Sequence, residues 1–174
     1  MKQLIKAILK TGSLFLLIAV IFTTGCQQQK PDASQELKPV VDKFVEVWNN
    51  ANYDELDAIV DPGFVRTVNH IPDVQGLDGI KNVMTGFRTT YPDFKITINN
   101  EVYAENSVAV RWTFSGTNTG PGDMPPTGKS VSAWGISILH FANGKLTKEM
   151  VAYDNQSFME QLGFTMMQPT SEAE

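Results

Sequence analysis

Residues 130–154 constrain the fold more than any other part of the chain, because their pattern predicts two long strands joined by a tight turn. Asn143-Gly144 is a strong hairpin signal, since both residues tolerate the positive φ that a two-residue turn requires. Counting outward from the turn pairs Phe141 with Leu146. Alternation along the strands then places small residues and one acid on the same face: Ala133, Gly135, Ser137, Ala152 and Asp154.

The two faces of this hairpin predict different roles. Small side chains on a sheet face leave a volume that another part of the protein or a ligand must fill. We expect Asp154, at the rim of that hollow, to act as a proton-transfer group. The opposite face is too apolar to be left in water, so we expect another part of the chain, a docked partner or a second copy in a homodimer to cover it. The residues of this face are Trp134, Ile136, Ile138, Val151 and Tyr153.

Residues 1–25 carry the features of a secretory signal. Three lysines precede an apolar run over residues 14–22, which is too short to span a membrane. The Gly-Cys pair that ends at Cys26 resembles a bacterial lipobox, although Thr23 stands where Leu is usual. We therefore expect cleavage before Cys26, lipidation of its thiol and an extracytoplasmic location on a bacterial membrane. The alternative is an uncleaved signal followed by an incidental cysteine.

Charge and cysteine content limit the partners of the mature chain. Removal of residues 1–25, which hold three lysines and no acids, leaves 149 residues and changes the formal net charge from −5 to −8. An acidic chain without a basic run argues against nucleic acid and anionic lipid as partners. Cys26 is the only cysteine, so the domain must be stabilised by its core rather than by a disulfide.

The rest of the sequence predicts helices first and strands afterwards. Apolar residues recur at helical spacing from Leu37 to Trp48, and further helices are predicted over residues 53–60 and 77–87. This order indicates an α+β fold with helices packed on one face of a mostly antiparallel sheet. The loop 117–129 lies either at the mouth of a binding site or in a surface crossover. The predicted strands are 64–68, 94–99, 101–104, 107–116, 131–141 and 145–153.

Together these residues resemble the SnoaL-like polyketide cyclase or ester cyclase family, whose fold is the NTF2-like cone. The resemblance covers residues 36–166, preceded by a lipidated polar tether at 26–35 and followed by a frayed tail at 167–174. It implies a pocket between a concave sheet and the N-terminal helices, and no metal or organic cofactor. The matching segments are 47–49, 64–66 with His70, 76–80, 91–94, 111–117, 126–129, 135–137, 143–145 and 161–163 together with Asp154.

The resemblance also implies a chemistry, in which the acid matching Asp154 is the general acid/base of an intramolecular aldol condensation. Such a reaction needs a base beside the carbon next to a carbonyl and a donor to the carbonyl oxygen, and one carboxyl group can do both in turn. We therefore predict Asp154 and His70 as catalytic residues acting on a small apolar carbonyl compound. The alternatives are that Asp154 caps the C-terminal helix and that His70 is structural.

Six further residues are predicted to contact the ligand: Trp48, Tyr91, Arg111, Asn118, Ser137 and Met150. Trp48 and Tyr91 have the alternative of a core position, and Arg111 that of a solvated sheet residue. Met150 stands where the family usually has an aromatic residue, and Asn118 where it usually has histidine. These departures and the predicted export favour a second function, the binding of a small molecule without turnover.

Metal and nucleophilic catalysis find no support in the sequence. The two histidines, His70 and His140, lie far apart, and the single cysteine is the predicted lipidation site. These residues supply no ligand set for a metal. No serine has the sequence context of a nucleophile elbow, which argues against Ser-His-Asp hydrolysis.

Overall fold

The computed structural model describes residues 32–69, 71–165 and 167, with residues 71–73 described for the backbone only. The described residues form four α-helices: α1 (Ala33–Asn50), α2 (Leu56–Ile59), α3 (Gly76–Thr90) and α4 (Asn155–Leu162). A short 3₁₀ helix, Tyr53–Glu55, precedes α2. The strands are β1 (Val60–Val68), β2 (Ile71–Gln75), β3 (Lys95–Ala104), β4 (Ser107–Thr117), β5 (Ser130–Ala142) and β6 (Lys145–Tyr153). The predicted α+β fold class is confirmed.

Some sequence predictions lie outside the described residues. These are the signal peptide, the lipidated Cys26, the first part of the tether, His70 and the tail from residue 168 onward. In the part of the chain that the structure describes, no helix has both the length and the apolar character needed to cross a membrane.

The six strands form one sheet in the order β2-β1-β6-β5-β4-β3. The strands from β3 to β6 pair in sequence order as antiparallel hairpins, whereas β1 pairs in parallel with β6. Strand β2 adds to the outer edge of β1. The sequence analysis missed β2, because its Pro72 and Asp73 are residue types that are depleted in strands.

The β5–β6 hairpin contains a β-bulge that changes the predicted register. Phe141 pairs with Leu146, as the turn predicts, but His140 pairs with Lys148 instead of Thr147. The shift of one residue persists to the open end of the hairpin. Because side chains alternate between faces, an extra residue transfers every later side chain of β6 to the other face.

The predicted faces of β6 were therefore wrong beyond the bulge. Glu149, Val151 and Tyr153 share the inner, helix-covered face with Ser137, whereas Met150 and Ala152 lie on the outer face. The assignment for β5 is confirmed, since Trp134, Ile136 and Ile138 are exposed and their odd-numbered neighbours are buried. A turn-based count cannot detect a bulge that no glycine or proline marks.

Arg88, in the last turn of α3, joins the C-terminal end of α1 to the start of β3. Its Nη2 donates to the carbonyl oxygens of Trp48 at 2.9 Å and Asn49 at 2.6 Å. Its Nη1 donates to the carbonyls of Phe94 at 3.1 Å and Pro92 at 3.2 Å. The carbonyls at a helix C-terminus lack partners within the helix, so Arg88 satisfies groups that would otherwise be orphaned.

The Asn49 side chain strengthens the same junction. Its Nδ2 donates to the Ile96 carbonyl at 2.9 Å, and its Oδ1 accepts from the Ile96 N–H at 2.7 Å. The amide thus pairs with the β3 backbone as a neighbouring strand would. Helix α1 is thereby fixed against the sheet at the end where Arg88 also binds.

Replacing Arg88 by methionine tests the importance of this junction. The substitution keeps most of the aliphatic stem but removes donors from four backbone carbonyls, so we expect the free energy of unfolding to fall by about 2–4 kcal/mol. Urea denaturation followed by circular dichroism measures the change. Lys95→Met, on an exposed residue of β3, is the control. Equal stabilities of the two variants would contradict the role given to Arg88.

Candidate functional site

A cavity of about 810 Å³ lies between the helices and the inner face of the sheet. Its walls come from α1, α3, the start of α4 and all the strands of the sheet, and residues 121–124 of the β4–β5 loop close one side. A volume of this size accommodates a drug-sized molecule. Much of the lining is aromatic: Phe44, Trp48, Phe87, Tyr91, Phe94, Trp112, Phe114, Tyr153 and Phe158.

The aromatic side chains form a connected wall. Trp48 stacks on Phe94 with ring centroids 5.4 Å apart, and Phe94 lies 5.1 Å from Phe114. Phe114 in turn contacts Tyr91 edge to face at 5.3 Å. Phe44 and Trp48 face the cavity together because residues four apart lie on one side of a helix. Rings held by one another in this way give a ligand a rigid apolar surface.

Four polar side chains that are bonded to one another lie on the sheet wall of the cavity. Arg66 Nε donates to Glu149 Oε2 at 2.8 Å, and the two side chains are only 11% and 7% exposed. The Ser137 hydroxyl donates to Glu149 Oε1 at 2.8 Å and accepts a hydrogen bond from Trp112 Nε1 at 2.9 Å. Both carboxylate oxygens of Glu149 are therefore occupied. We call Arg66, Trp112, Ser137 and Glu149 the polar cluster.

Strand pairing explains why these residues meet. Arg66 of β1 lies opposite Glu149 of β6 in the parallel ladder. Ser137 of β5 lies opposite Val151, next to Glu149 on the inner face. Glu149 was not predicted from the sequence, because the unbulged register turned it outward. A glutamate directly before the apolar residues Met150 and Val151 was the available signal, since a buried glutamate is seldom without a partner.

Trp112 occupies much of the hollow that the small residues of β5 leave. Gly135 pairs with Trp112 across the β4–β5 ladder, and a Cβ on Gly135 would collide with the indole ring. Another part of the protein thus fills this space, which was one of the two possibilities that the sequence left open. The ring position in turn directs Nε1 toward Ser137.

Two tyrosines add neutral hydroxyl groups to the cavity. Burial raises the pKa of Tyr91 above its usual value, and the same effect raises the pKa of Tyr153. Both phenols therefore stay protonated at neutral pH. Among the described residues, no group of three His, Cys, Asp or Glu side chains is placed to hold a metal ion.

Three of the predicted ligand-contacting residues line the cavity: Trp48, Tyr91 and Ser137. Their contact with a ligand stays a prediction. The β4–β5 loop also contributes to the cavity, because the Gly120 N–H binds the Thr90 carbonyl at 3.1 Å and residues 121–124 lie in the lining. Of the two positions that the sequence allowed for this loop, the one at a cavity wall is observed.

The structure corrects the placement of Arg111, Asn118 and Met150, which do not belong to the cavity lining. Arg111 lies on the outer face, 5.5 Å from the ring centroid of Trp134, because it alternates with the inward-facing residues of β4. Met150 is exposed on the same face because of the bulge. Asn118 is buried in the β4–β5 loop, where its Oδ1 accepts from the Thr127 N–H at 2.6 Å.

Asp154 is the N-cap residue that precedes α4, and it does not belong to the cavity lining. Its exposed side chain accepts a hydrogen bond from the Ser157 N–H at 3.0 Å, which is the capping role that the sequence left open as an alternative. Catalysis by Asp154 stays a prediction. Glu149 and Asp123 are the described carboxylates that line the cavity.

The fold and the cavity define the class of this protein. Helices packed on the inner face of a curved, mostly antiparallel sheet around an apolar cavity give it an α+β fold of the NTF2-like type. The model of the SnoaL-like polyketide cyclase family matches residues 38–162. The chain belongs to this family.

Solved structures agree with this assignment. The chain is similar to a protein named as a SnoaL-like polyketide cyclase from Jannaschia sp. CCS1, with a TM-score of 0.71 and 18% identity, covering 80% of this chain and 99% of that one. It is similar to one named as a polyketide cyclase from Bacillus cereus ATCC 10987, with a TM-score of 0.62 and 25% identity, covering 74% and 80%. IdmH from Streptomyces antibioticus has a TM-score of 0.64 and 20% identity, covering 73% and 98%. Comparison with curated proteins finds no match.

Replacing Ser137 by alanine tests the polar cluster. The substitution leaves Trp112 Nε1 and Glu149 Oε1 without their partner in a buried position, so we expect a loss of about 1–3 kcal/mol in the free energy of unfolding. Chemical denaturation of the variant gives this value. Ser132→Ala removes the same atom from an exposed position of the same strand and serves as the control. A loss no larger than that of the control would argue against the observed bonds.

Proposed function

We propose that this protein binds a small, mostly apolar carbonyl compound in its cavity. The observation that carries the proposal is that the Arg66–Glu149 ion pair lies on the sheet wall of a cavity whose lining is largely aromatic and apolar. In the hydrogen bonds of the described residues, Arg66 donates through Nε, so Nη1 and Nη2 are the donors available to a carbonyl oxygen. The apolar remainder of the compound would pack against rings such as Trp48 and Phe94.

Acid/base turnover of the same compound is the second candidate function, and Glu149 supports it. An aldol-type cyclisation removes a proton from the carbon next to one carbonyl and forms a carbon–carbon bond to a second carbonyl of the same molecule. The proton then returns to the new alkoxide oxygen, so the reaction is an isomerisation without a co-reactant. The carboxylate of Glu149, in contact with the Ser137 hydroxyl, can carry that proton. Asp154 is the carboxylate that the family resemblance favours.

An extracytoplasmic position on a bacterial membrane is part of the proposal. It is supported by the apolar run at residues 14–22 and by the Gly-Cys pair that ends at Cys26. Acyl chains rather than charge would hold the acidic domain at the bilayer. A binding protein in this position would take up its ligand outside the cytoplasm.

A homodimer through the outer sheet face is also proposed. Trp134, Ile136, Ile138 and Met150 are each 40–50% exposed and lie side by side on the adjoining strands β5 and β6. Both strands are paired on either side within the sheet, so a partner would cover the face rather than extend an edge. A second copy offers the same apolar surface, as a two-fold interface requires.

Native mass spectrometry tests the proposed function. We expect the mature chain carrying Cys26→Ser to retain a small carbonyl compound from an extract of the producing cell. If the protein is an enzyme, the wild type converts this compound, while Glu149→Gln or Asp154→Asn retains it unconverted. Equal retention of unchanged compound by all forms identifies a carrier. Glu36→Gln, on the exposed side of α1, controls for the loss of one charge. Absence of any retained compound would count against the proposal.

Cell fractionation tests the anchor. The full chain is expected in the membrane fraction with a mass that includes the added lipid, because the acyl chains supply the membrane affinity. Cys26→Ser should move the protein to a soluble fraction. An unmodified wild-type chain in the soluble fraction would exclude lipidation.

Sedimentation measurements test the dimer. Ile138→Lys places a charge at the centre of the outer face and should convert a dimer into a monomer at micromolar concentration, since an unpaired charge is costly to bury. Phe164→Lys introduces the same charge at an exposed apolar residue outside this face. A wild-type protein that is already monomeric would remove the proposed interface.

A further inference from the structure

We infer that Glu149 makes the cavity selective for neutral carbonyl compounds over carboxylates, by neutralising Arg66. The inference rests on the proposed function and adds the charge of the ligand to it. Arg66 is the only cation among the described residues that line the cavity. A lone arginine in an apolar cavity would favour carboxylates, because its guanidinium matches their two oxygens. Whether Arg66 can bind a carboxylate in this way depends on the groups to which its guanidinium is already bonded.

Arg66 already has a carboxylate partner that is fixed in place. Glu149 Oε2 accepts from Arg66 Nε at 2.8 Å, and both side chains are nearly buried, so water screens the pair weakly. Ser137 holds the other oxygen of Glu149 at 2.8 Å and is itself fixed by Trp112 at 2.9 Å. Glu149 therefore cannot turn away when a ligand arrives. The Arg66–Glu149 pair presents donors to the cavity without a net positive charge.

A carboxylate and a neutral carbonyl meet this pair with different free energies. A carboxylate near the Nη atoms of Arg66 would lose its hydration and would lie close to the negative charge of Glu149. A ketone or ester oxygen accepts the same N–H groups without burying a charge. The apolar residues of the remaining walls stabilise either molecule through its carbon skeleton. The head group of the ligand consequently decides its affinity.

The other titratable groups around the cavity do not restore a positive charge. Asp123, on the exposed β4–β5 loop, adds a second carboxylate. Tyr91 and Tyr153 are neutral phenols near pH 7, since burial raises their pKa values. All described ionisable residues of the lining thus favour a neutral ligand, apart from the already paired Arg66.

Two fluorescent probes with the same ring system test this selectivity. One is the ketone 6-propionyl-2-(dimethylamino)naphthalene, and the other is 6-(dimethylamino)naphthalene-2-carboxylate. At pH 7 we expect the wild-type protein to bind the ketone at least about tenfold more tightly than the carboxylate. Glu149→Gln keeps the shape of the side chain but frees the charge of Arg66. It should tighten binding of the carboxylate by about tenfold relative to the ketone and so abolish the wild-type preference.

Matched controls separate this inference from the proposed function. Glu36→Gln changes the net charge equally at an exposed residue outside the cavity lining, so it should alter neither affinity. Failure of both probes to bind any form would refute the proposed cavity function, and the inference with it. Binding of the ketone together with equal wild-type affinity for the carboxylate would refute the inference alone. A folded Glu149→Gln variant that still prefers the ketone over the carboxylate to the same extent would also refute the inference alone.

The wild-type protein alone provides a second measurement, which does not depend on the folding of a variant. Lowering the pH from 7 to 5 increases the neutral form of the acid probe by about tenfold per pH unit, as long as the pH exceeds the pKa of the probe. The apparent affinity for the acid should rise in proportion, while the affinity for the ketone stays constant. Affinity for the acid that does not change with pH would overturn the inference.

Discussion

The hydrogen bonds of Arg88 hold the helical layer of this protein on its sheet. Four carbonyls from the end of α1 and from the segment before β3 converge on one guanidinium group. A cavity between two layers persists only if the layers are joined around it, since apolar walls otherwise collapse onto each other. Arg88 and Asn49 make this join with directional bonds at the edge of the cavity. The aromatic wall can therefore surround a ligand-sized space instead of filling it.

The β-bulge after His140 determines the chemistry of that space. With the unbulged register, β6 would present Met150 and Ala152 to the helices and leave Glu149 outside. With the bulge, Glu149 meets Arg66 and Ser137, and the inner face gains an ion pair in which both carboxylate oxygens are held by neighbours. Without this one extra residue in the strand, the cavity would lack its oriented polar wall. The candidate site depends on this local feature more than on the identity of the fold.

Most of the fold could be predicted from the sequence, whereas much of the candidate site could not. Helical periodicity located α1 and α3, and the Asn143-Gly144 turn located the last hairpin, because both are local patterns. Trp48, Tyr91 and Ser137, which were predicted as ligand contacts, lie in the lining of the cavity. Arg66 and Glu149 come together through the parallel pairing of β1 with β6, which no local pattern encodes. The position of Asp154 could not be predicted by counting residues from the turn, because its role as a helix cap depends on where β6 ends.

The parallel pairing of β1 with β6 also sets an order of assembly. Arg66 and Glu149 are 83 residues apart in sequence, whereas the hairpins between them join neighbouring strands. Closing so large a loop is entropically costly, so local hairpins form more readily than this contact. During synthesis, β1 must wait until the last strand of the sheet has emerged. The polar wall is consequently completed at the end of folding, and any ligand that binds there favours the completed chain over partly folded ones.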